Sequence, residues 1–156
     1  MKALTVCQPW AHAICYRGKN VENRSWRPEF FRGTLAIHAG RSRRWFTGEA
    51  LPDGCPEPSP SSCVFGAIVA HCELARCVRP EELPGNPWAE GPWCWVLEDM
   101  RVLRSPVFCR GARGLWELPH ELELAVAYGD SAGAPKPENP TRPRQTRLPR
   151  FGRGMG

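Results

Sequence analysis

Apolar and polar residues alternate with a period of two along several short runs of this chain, and with a helical period along two others. Lys2 to Val6 reads as a strand that stops at Gln8-Pro9. Pro9 suits the first position of a helix; Trp10, Ala13, Ile14 and Arg17 follow at helical spacing, and Gly18 suits the C-terminal cap. In the extended stretch beyond it, Glu22, Arg24 and then Trp26 share one side, while Val21 takes the other. Thr34 to Ala39 is a further strand, with Leu35 and Ile37 facing one way and Ala36 and His38 the other. Arg41 to Leu51 reads as a short basic helix. Pro52 to Ser62 is rich in Pro, Ser and Gly and reads as a surface loop, either a lid or an insertion. Strand character returns from Val64 to Val78, with Gly66 as a bulge or tight bend, and breaks again from Pro80 to Pro92. Trp93 to Leu103 and Gly114 to Leu118 complete the strands. Leu118, Leu122 and Val126 then lie at roughly helical intervals, which predicts a last helix over His120 to Tyr128.

About six short strands with one early and one late helix imply an α+β chain: a small, partly closed mixed β-barrel with helices at its openings. A length of 156 residues and 42% hydrophobic content suit one domain with a real core, placed at residues 1–129. From Asp130 to Gly156 the composition shifts to Pro, Gly, Arg, Asn and Ser. Too few large apolar groups remain there to offset the entropy of ordering, so residues 130–156 are expected to be a flexible basic tail.

Locating the charge changes its meaning. The chain carries 21 basic and 16 acidic residues, but six of the basic ones (Lys136, Arg142, Arg144, Arg147, Arg150, Arg153) stand from Lys136 onward against Glu138 alone. The chain before Lys136 is therefore neutral overall, and any basic patch there must come from local placement. The tail arginines suit phosphates, each neutralised phosphate on a single strand adding a salt slope of about −0.7; a solubilising tail without a partner is the alternative.

The N-terminus lacks the long apolar run of a signal peptide, so the eight cysteines point to a reduced, cytoplasmic protein rather than to a disulfide framework. No stretch approaches the length of a membrane span. Paired Cys-x-x-Cys units are absent, and the cluster Cys63, His71, Cys72 and Cys77 matches no common metal spacing. These thiols read as small hydrophobes, with no metal and no cofactor implied.

The chemistry concentrates in Gly18-Lys19-Asn20-Val21-Glu22-Asn23-Arg24. Exposed, such charges would contribute only about 0–1 kcal/mol per pair; buried, they would cost several kcal/mol unless every hydrogen bond were met. Stability is a poor reason for them. In a pocket, Lys19 can orient or activate, Glu22 can take a proton or bind an amino edge, and Arg24 can hold a phosphate or carbonyl. The flanking Trp10 and Trp26 offer faces on which a flat base can stack. His38, near a strand end, is either a satisfied core histidine or a member of the same pocket. The competing explanation for the charges is a solvated edge strand.

The chain resembles the ASCH domain family, a branch of the PUA-like β-barrels with the signature Gly-x-Lys-x-x-Glu-x-Arg. Here Gly18 and Lys19 are adjacent, one residue short of that pattern, while Lys-x-x-Glu-x-Arg is intact. Gln8-Pro9-Trp10, the Arg32-Gly33 turn leading to Ile37-His38-Ala39, and Gly114-Leu115-Trp116 also look like one branch of the family, so the resemblance spans about Lys2 to Leu118. It implies a cleft, lined by the signature residues, that receives RNA or a modified nucleoside. Some similar proteins remove the acetyl group from N4-acetylcytidine with a lysine, a threonine and a glutamate. Lys19 matches the lysine, Glu22 stands in the place of the threonine, and Glu98 is the candidate for the other glutamate. Other relatives are ribonucleases, for which Lys19 would stabilise charge with Glu22 as base. The leading expectation is an RNA- or nucleotide-binding domain with a cleft built on Lys19, Glu22 and Arg24. A hydrolase using Lys19 and Glu22, and then a protein-interaction adaptor, are the alternatives.

Overall fold

Six strands and two helices follow one another in a computed structural model that describes residues 1–130; of the tail expected at 130–156, Asp130 ends the last helix and the rest lies outside the described residues. The strands are β1 (Lys2–Val6), β2 (Val21–Arg24), β3 (Gly33–Ala39), β4 (Ala67–Val78), β5 (Trp93–Phe108) and β6 (Leu115–Glu117). Helix α1 spans Trp10–Tyr16 and α2 spans His120–Asp130.

One mixed sheet runs in the order β2-β5-β4-β3-β1-β6. Only β1 and β3 pair in parallel, with Thr5 opposite His38; the long β4–β5 ladder is antiparallel and slips register three times. Each slip leaves one strand with extra length and bends the sheet. The curl has a direct mark: Arg24, on edge strand β2, donates to the Thr5 carbonyl of β1 at 2.9 Å, although three strands separate them in the sheet order. The α+β architecture is thus a curled, partly closed barrel.

Apolar alternation built its inside. Leu4, Val6, Leu35, Ile37, Leu74, Trp95 and Leu97 pack within the curl, and α1 contributes Ala11 and Ile14 to the same cluster. Outside it, Ala3, Ala36, Ile68 and Leu103 are covered by Leu118 and by Val126 of α2. A third cluster joins Ala13, Val21, Val78 and Cys94 to Trp88, which anchors the segment between β4 and β5. All eight cysteines are free, with Cys72, Cys77 and Cys94 buried among these apolar neighbours. Among the described residues no helix is long and apolar enough to cross a membrane.

Three expectations about elements change. Residues 41–51 form bends and turns, not a helix. The segment is held by other contacts: Arg43 lies over Phe65 at 4.5 Å, Arg44 over Trp45 at 4.4 Å, and the Glu57 carboxylate accepts from the Gly48 backbone N–H. A segment that short gains little from helical bonds without an apolar face to bury. Strand β4 starts at Ala67 rather than Val64, because Gly66 sits at φ +69°, outside extended backbone. Strand β5 runs through Pro106 to Phe108, five residues past Leu103. That proline lies opposite the register slip between Ile68 and Ala70, where a missing N–H costs no ladder bond.

Candidate functional site

Helix α1 ends at Tyr16, and one residue on, past Arg17, stands Gly18, whose φ of +66° turns the chain back toward the barrel. The Lys19 N–H closes that turn by donating to the Ala13 carbonyl at 3.2 Å, and the lysine side chain is carried inward. Alternation along β2 then puts Glu22 and Arg24 on the same side, while Val21 enters the core. Asn23, facing away, accepts from the Glu90 and Gly91 N–H groups and donates to the Trp88 carbonyl, which fastens the 80–92 segment to β2.

The three charges form a chain. Glu22 Oε1 lies 3.0 Å from an Arg24 terminal nitrogen and Glu22 Oε2 lies 3.5 Å from Lys19 Nζ. Lys19 also donates to the Val21 carbonyl and stands 5.4 Å from the centre of a Trp88 ring. Lys19 is only 3% exposed and Glu22 8%. Burial pushes the Lys19 ammonium below its ordinary pKa, and the Glu22 and Glu90 carboxylates oppose that shift. Arg24 uses one nitrogen on Glu22 and on the Thr5 carbonyl, and its Nε–H has no protein partner.

These residues open onto a cleft of about 300 Å³ whose lining also includes Thr5, Trp10, Trp45 and Glu90. Trp10 and Trp45 meet edge to face at 5.6 Å and make an indole wall. Of the candidates named from sequence, Lys19, Glu22, Arg24 and Trp10 come together here. Trp26 packs into the core instead, edge-on to Trp95 at 4.7 Å, with its carbonyl accepting from the Trp95 indole. His38, 2% exposed, faces a different cleft beyond β1; its Nε2–H donates to the Cys109 carbonyl at 3.2 Å and its Nδ1 has no partner. Glu98 is exposed on β5, opposite Glu73, and does not line the 300 Å³ cleft.

Sequence reasoning missed Trp45, Thr5 and Glu90. Trp45 lies in the segment read as a helix, and an aromatic residue directly after Arg43 and Arg44 was the available signal. Thr5 enters through its position next to the end of β1, where no local pattern marks it. Among the described residues, no group of three His, Cys, Asp or Glu side chains is placed to hold a metal ion.

The structure is similar to the crystal structure of ASCH from Zymomonas mobilis, with a TM-score of 0.53 at 15% identity over 81% of this chain and 92% of that one. A crystal structure of a tyrosine-to-phenylalanine mutant of ZmASCH aligns with a TM-score of 0.52 at 14% identity, over 81% of this chain and 95% of the other. At such identities the likeness speaks for the fold. No curated protein matches the sequence. The model of the ASCH domain family matches residues 4–100, a span that begins in β1, contains the Lys19–Glu22–Arg24 stretch and reaches into β5. The chain therefore belongs to the ASCH domain family, PUA-like proteins associated with RNA binding.

Proposed function

We propose that this protein binds RNA, or a modified nucleoside, by taking one base into the cleft between the Lys19–Glu22–Arg24 chain and the Trp10–Trp45 wall. The observation that carries the reading is the burial of Lys19 and Glu22 at the cleft, since desolvating such charges returns little stability. A base stacked on an exposed indole contributes about 1–3 kcal/mol. Glu22 accepts from an amino or imino edge, and the partly exposed Arg24 guanidinium offers an N–H to a neighbouring carbonyl, so a donor beside an acceptor is read as a pair. The cleft volume, about 300 Å³, is that of a small-ligand site and not of a protein interface.

A second reading has one observation of its own. Lys19 is pushed toward neutrality with a carboxylate 3.5 Å away, a pairing that suits proton transfer during amide hydrolysis. Water activated by Glu22 would add to the acetyl carbon of N4-acetylcytidine, the C–N bond would break, and Lys19 would protonate the departing amine, leaving cytidine and acetate.

The test is titration of the purified protein with a short single-stranded RNA and with N4-acetylcytidine. Tryptophan fluorescence follows binding and chromatography follows products. Binding should weaken at least tenfold in Trp45→Ala and in Glu22→Gln, each shown to be folded by circular dichroism. Unchanged affinity in both would refute the cleft as the binding site. Cytidine formed by the parent protein and lost in Glu22→Gln would move the assignment to the hydrolase.

A further inference from the structure

A second cleft, of about 550 Å³, opens on the other side of Thr5, between the end of β3 and the loop joining β5 to β6. Its lining includes Thr5, His38, Arg41, Arg110, Gly111 and Arg113. All three arginines are exposed, and among the described residues none is in an ion pair. Three guanidinium groups thus line one concavity of a domain whose overall charge is balanced.

Two further features mark the place as built. Arg41 lies across Gly66, where a Cβ would meet its Nε at 2.8 Å, so the glycine leaves room for the arginine stem. Beneath Gly111, His38 Nδ1 and Thr5 Oγ1 are buried without hydrogen-bond partners. A Cβ on Gly111 would stand 2.5 Å from the first and 2.7 Å from the second. Buried polar atoms without partners are costly; of these two, the Thr5 hydroxyl is a donor that suits an anionic oxygen, whereas His38 Nδ1 is an acceptor because Nε2 carries the ring proton. The Arg41 charge also acts on His38, holding its pKa down together with the larger effect of burial.

We infer that this cleft is a phosphate site in which the guanidinium groups of Arg41, Arg110 and Arg113 hold a backbone phosphate of the same nucleic acid strand that places a base beside Glu22. Arginine forks match phosphate oxygens in geometry as well as charge. Thr5 lines both clefts, its carbonyl accepting from Arg24 in one and its hydroxyl lying at the floor of the other. The phosphate site stands on its own residues; that its occupant belongs to a strand rests on the base-binding reading.

The experiment uses the full chain, an Arg41→Gln/Arg113→Gln double variant and the corresponding double lysine variant. Inorganic phosphate is titrated while NMR follows the arginine Nε–H and His38 ring signals. A single-stranded RNA octamer is then bound at several salt concentrations. Phosphate should move those signals in the parent and not in the glutamine variant. RNA affinity should fall about tenfold there, with the log–log salt slope shallower by about 0.7 for one lost phosphate contact; the lysine variant should recover part of both. Signals indifferent to phosphate, with an unchanged salt slope, would overturn the site. Signals that respond while RNA binding ignores the arginines would overturn the strand as its source and leave free phosphate. If Trp45→Ala is without effect but the arginine variant weakens RNA, the base reading fails and the phosphate site stands.

Discussion

Replacing Glu22 by glutamine keeps the shape of the side chain and removes the one carboxylate that lies against both Lys19 and Arg24. Arg24 tolerates the loss, since it is partly exposed and keeps the Thr5 carbonyl. Lys19 does not: it is 3% exposed and retains only the Val21 carbonyl, the Trp88 ring and the more distant charge of Glu90. Removing one member of a buried pair costs about 3–5 kcal/mol, and the acceptor oxygen that glutamine still offers brings the expected loss to about 2–3 kcal/mol at pH 7. That is a large fraction of a domain's usual stability. The pH dependence carries the sharper test. Burial already holds Lys19 below its ordinary pKa of 10.5, and deleting Glu22 removes the charge that opposes this. The unfolded chain then binds more protons than the folded one between the folded pKa and 10.5, so stability rises with pH across that window, and rises more in the variant. Urea unfolding followed by tryptophan fluorescence at pH 7 and pH 9.5 gives the difference between variant and parent, in which the titration of other groups cancels. The gap should narrow at the higher pH. A loss under about 0.5 kcal/mol at pH 7, the range of an ordinary surface substitution, or a gap that does not change with pH, would refute the account of Lys19 as a buried, carboxylate-dependent cation.

Other consequences are simpler to read. Trp45→Ala should weaken base binding by about 1–3 kcal/mol, as for other stacked bases, while barely changing the urea midpoint, because the indole is 36% exposed; a stability loss matching the affinity loss would contradict this. Gly111→Ala should destabilise by about 1–3 kcal/mol through overpacking, because the added Cβ would stand 2.5 Å from His38 Nδ1; an unchanged melting temperature would mean that the loop is not seated as described. Asn23→Ala removes the bonds to Trp88, Glu90 and Gly91, so hydrogen exchange should quicken across residues 80–92 before it quickens in β1 or β3, and uniform exchange would argue against the tether. Burial pushes the Cys15 and Cys72 thiols up to about 12, so both should resist iodoacetamide at pH 8 until urea unfolds the chain, as read by mass spectrometry.

The alternation of residues settled a good part of this protein before any contact was known. Period-two patterning located the strands and the shared side of Glu22 and Arg24, and helical spacing located the apolar face of α1, because these depend on backbone geometry within a few residues. Gly18 marked the turn that carries Lys19 inward, since few other residues adopt φ +66° without strain. Parity holds only while a strand continues, however. Strand β2 ends at Arg24, so Trp26 leaves the pattern and folds onto Trp95, and the indole beside Trp10 in the cleft is Trp45, from a segment with no regular structure. The register slips in the β4–β5 ladder, which curl the sheet until Arg24 reaches Thr5, arise from pairing between residues far apart in the chain. The pairing of β1 with β3 on one side and β6 on the other brings Arg41 of one loop toward Arg110 and Arg113 of another, across a single cleft. Local spacing decides which side of its own strand a side chain takes; which other strand or loop meets that side depends on the non-local packing of the closed sheet, and only the tertiary structure decides it.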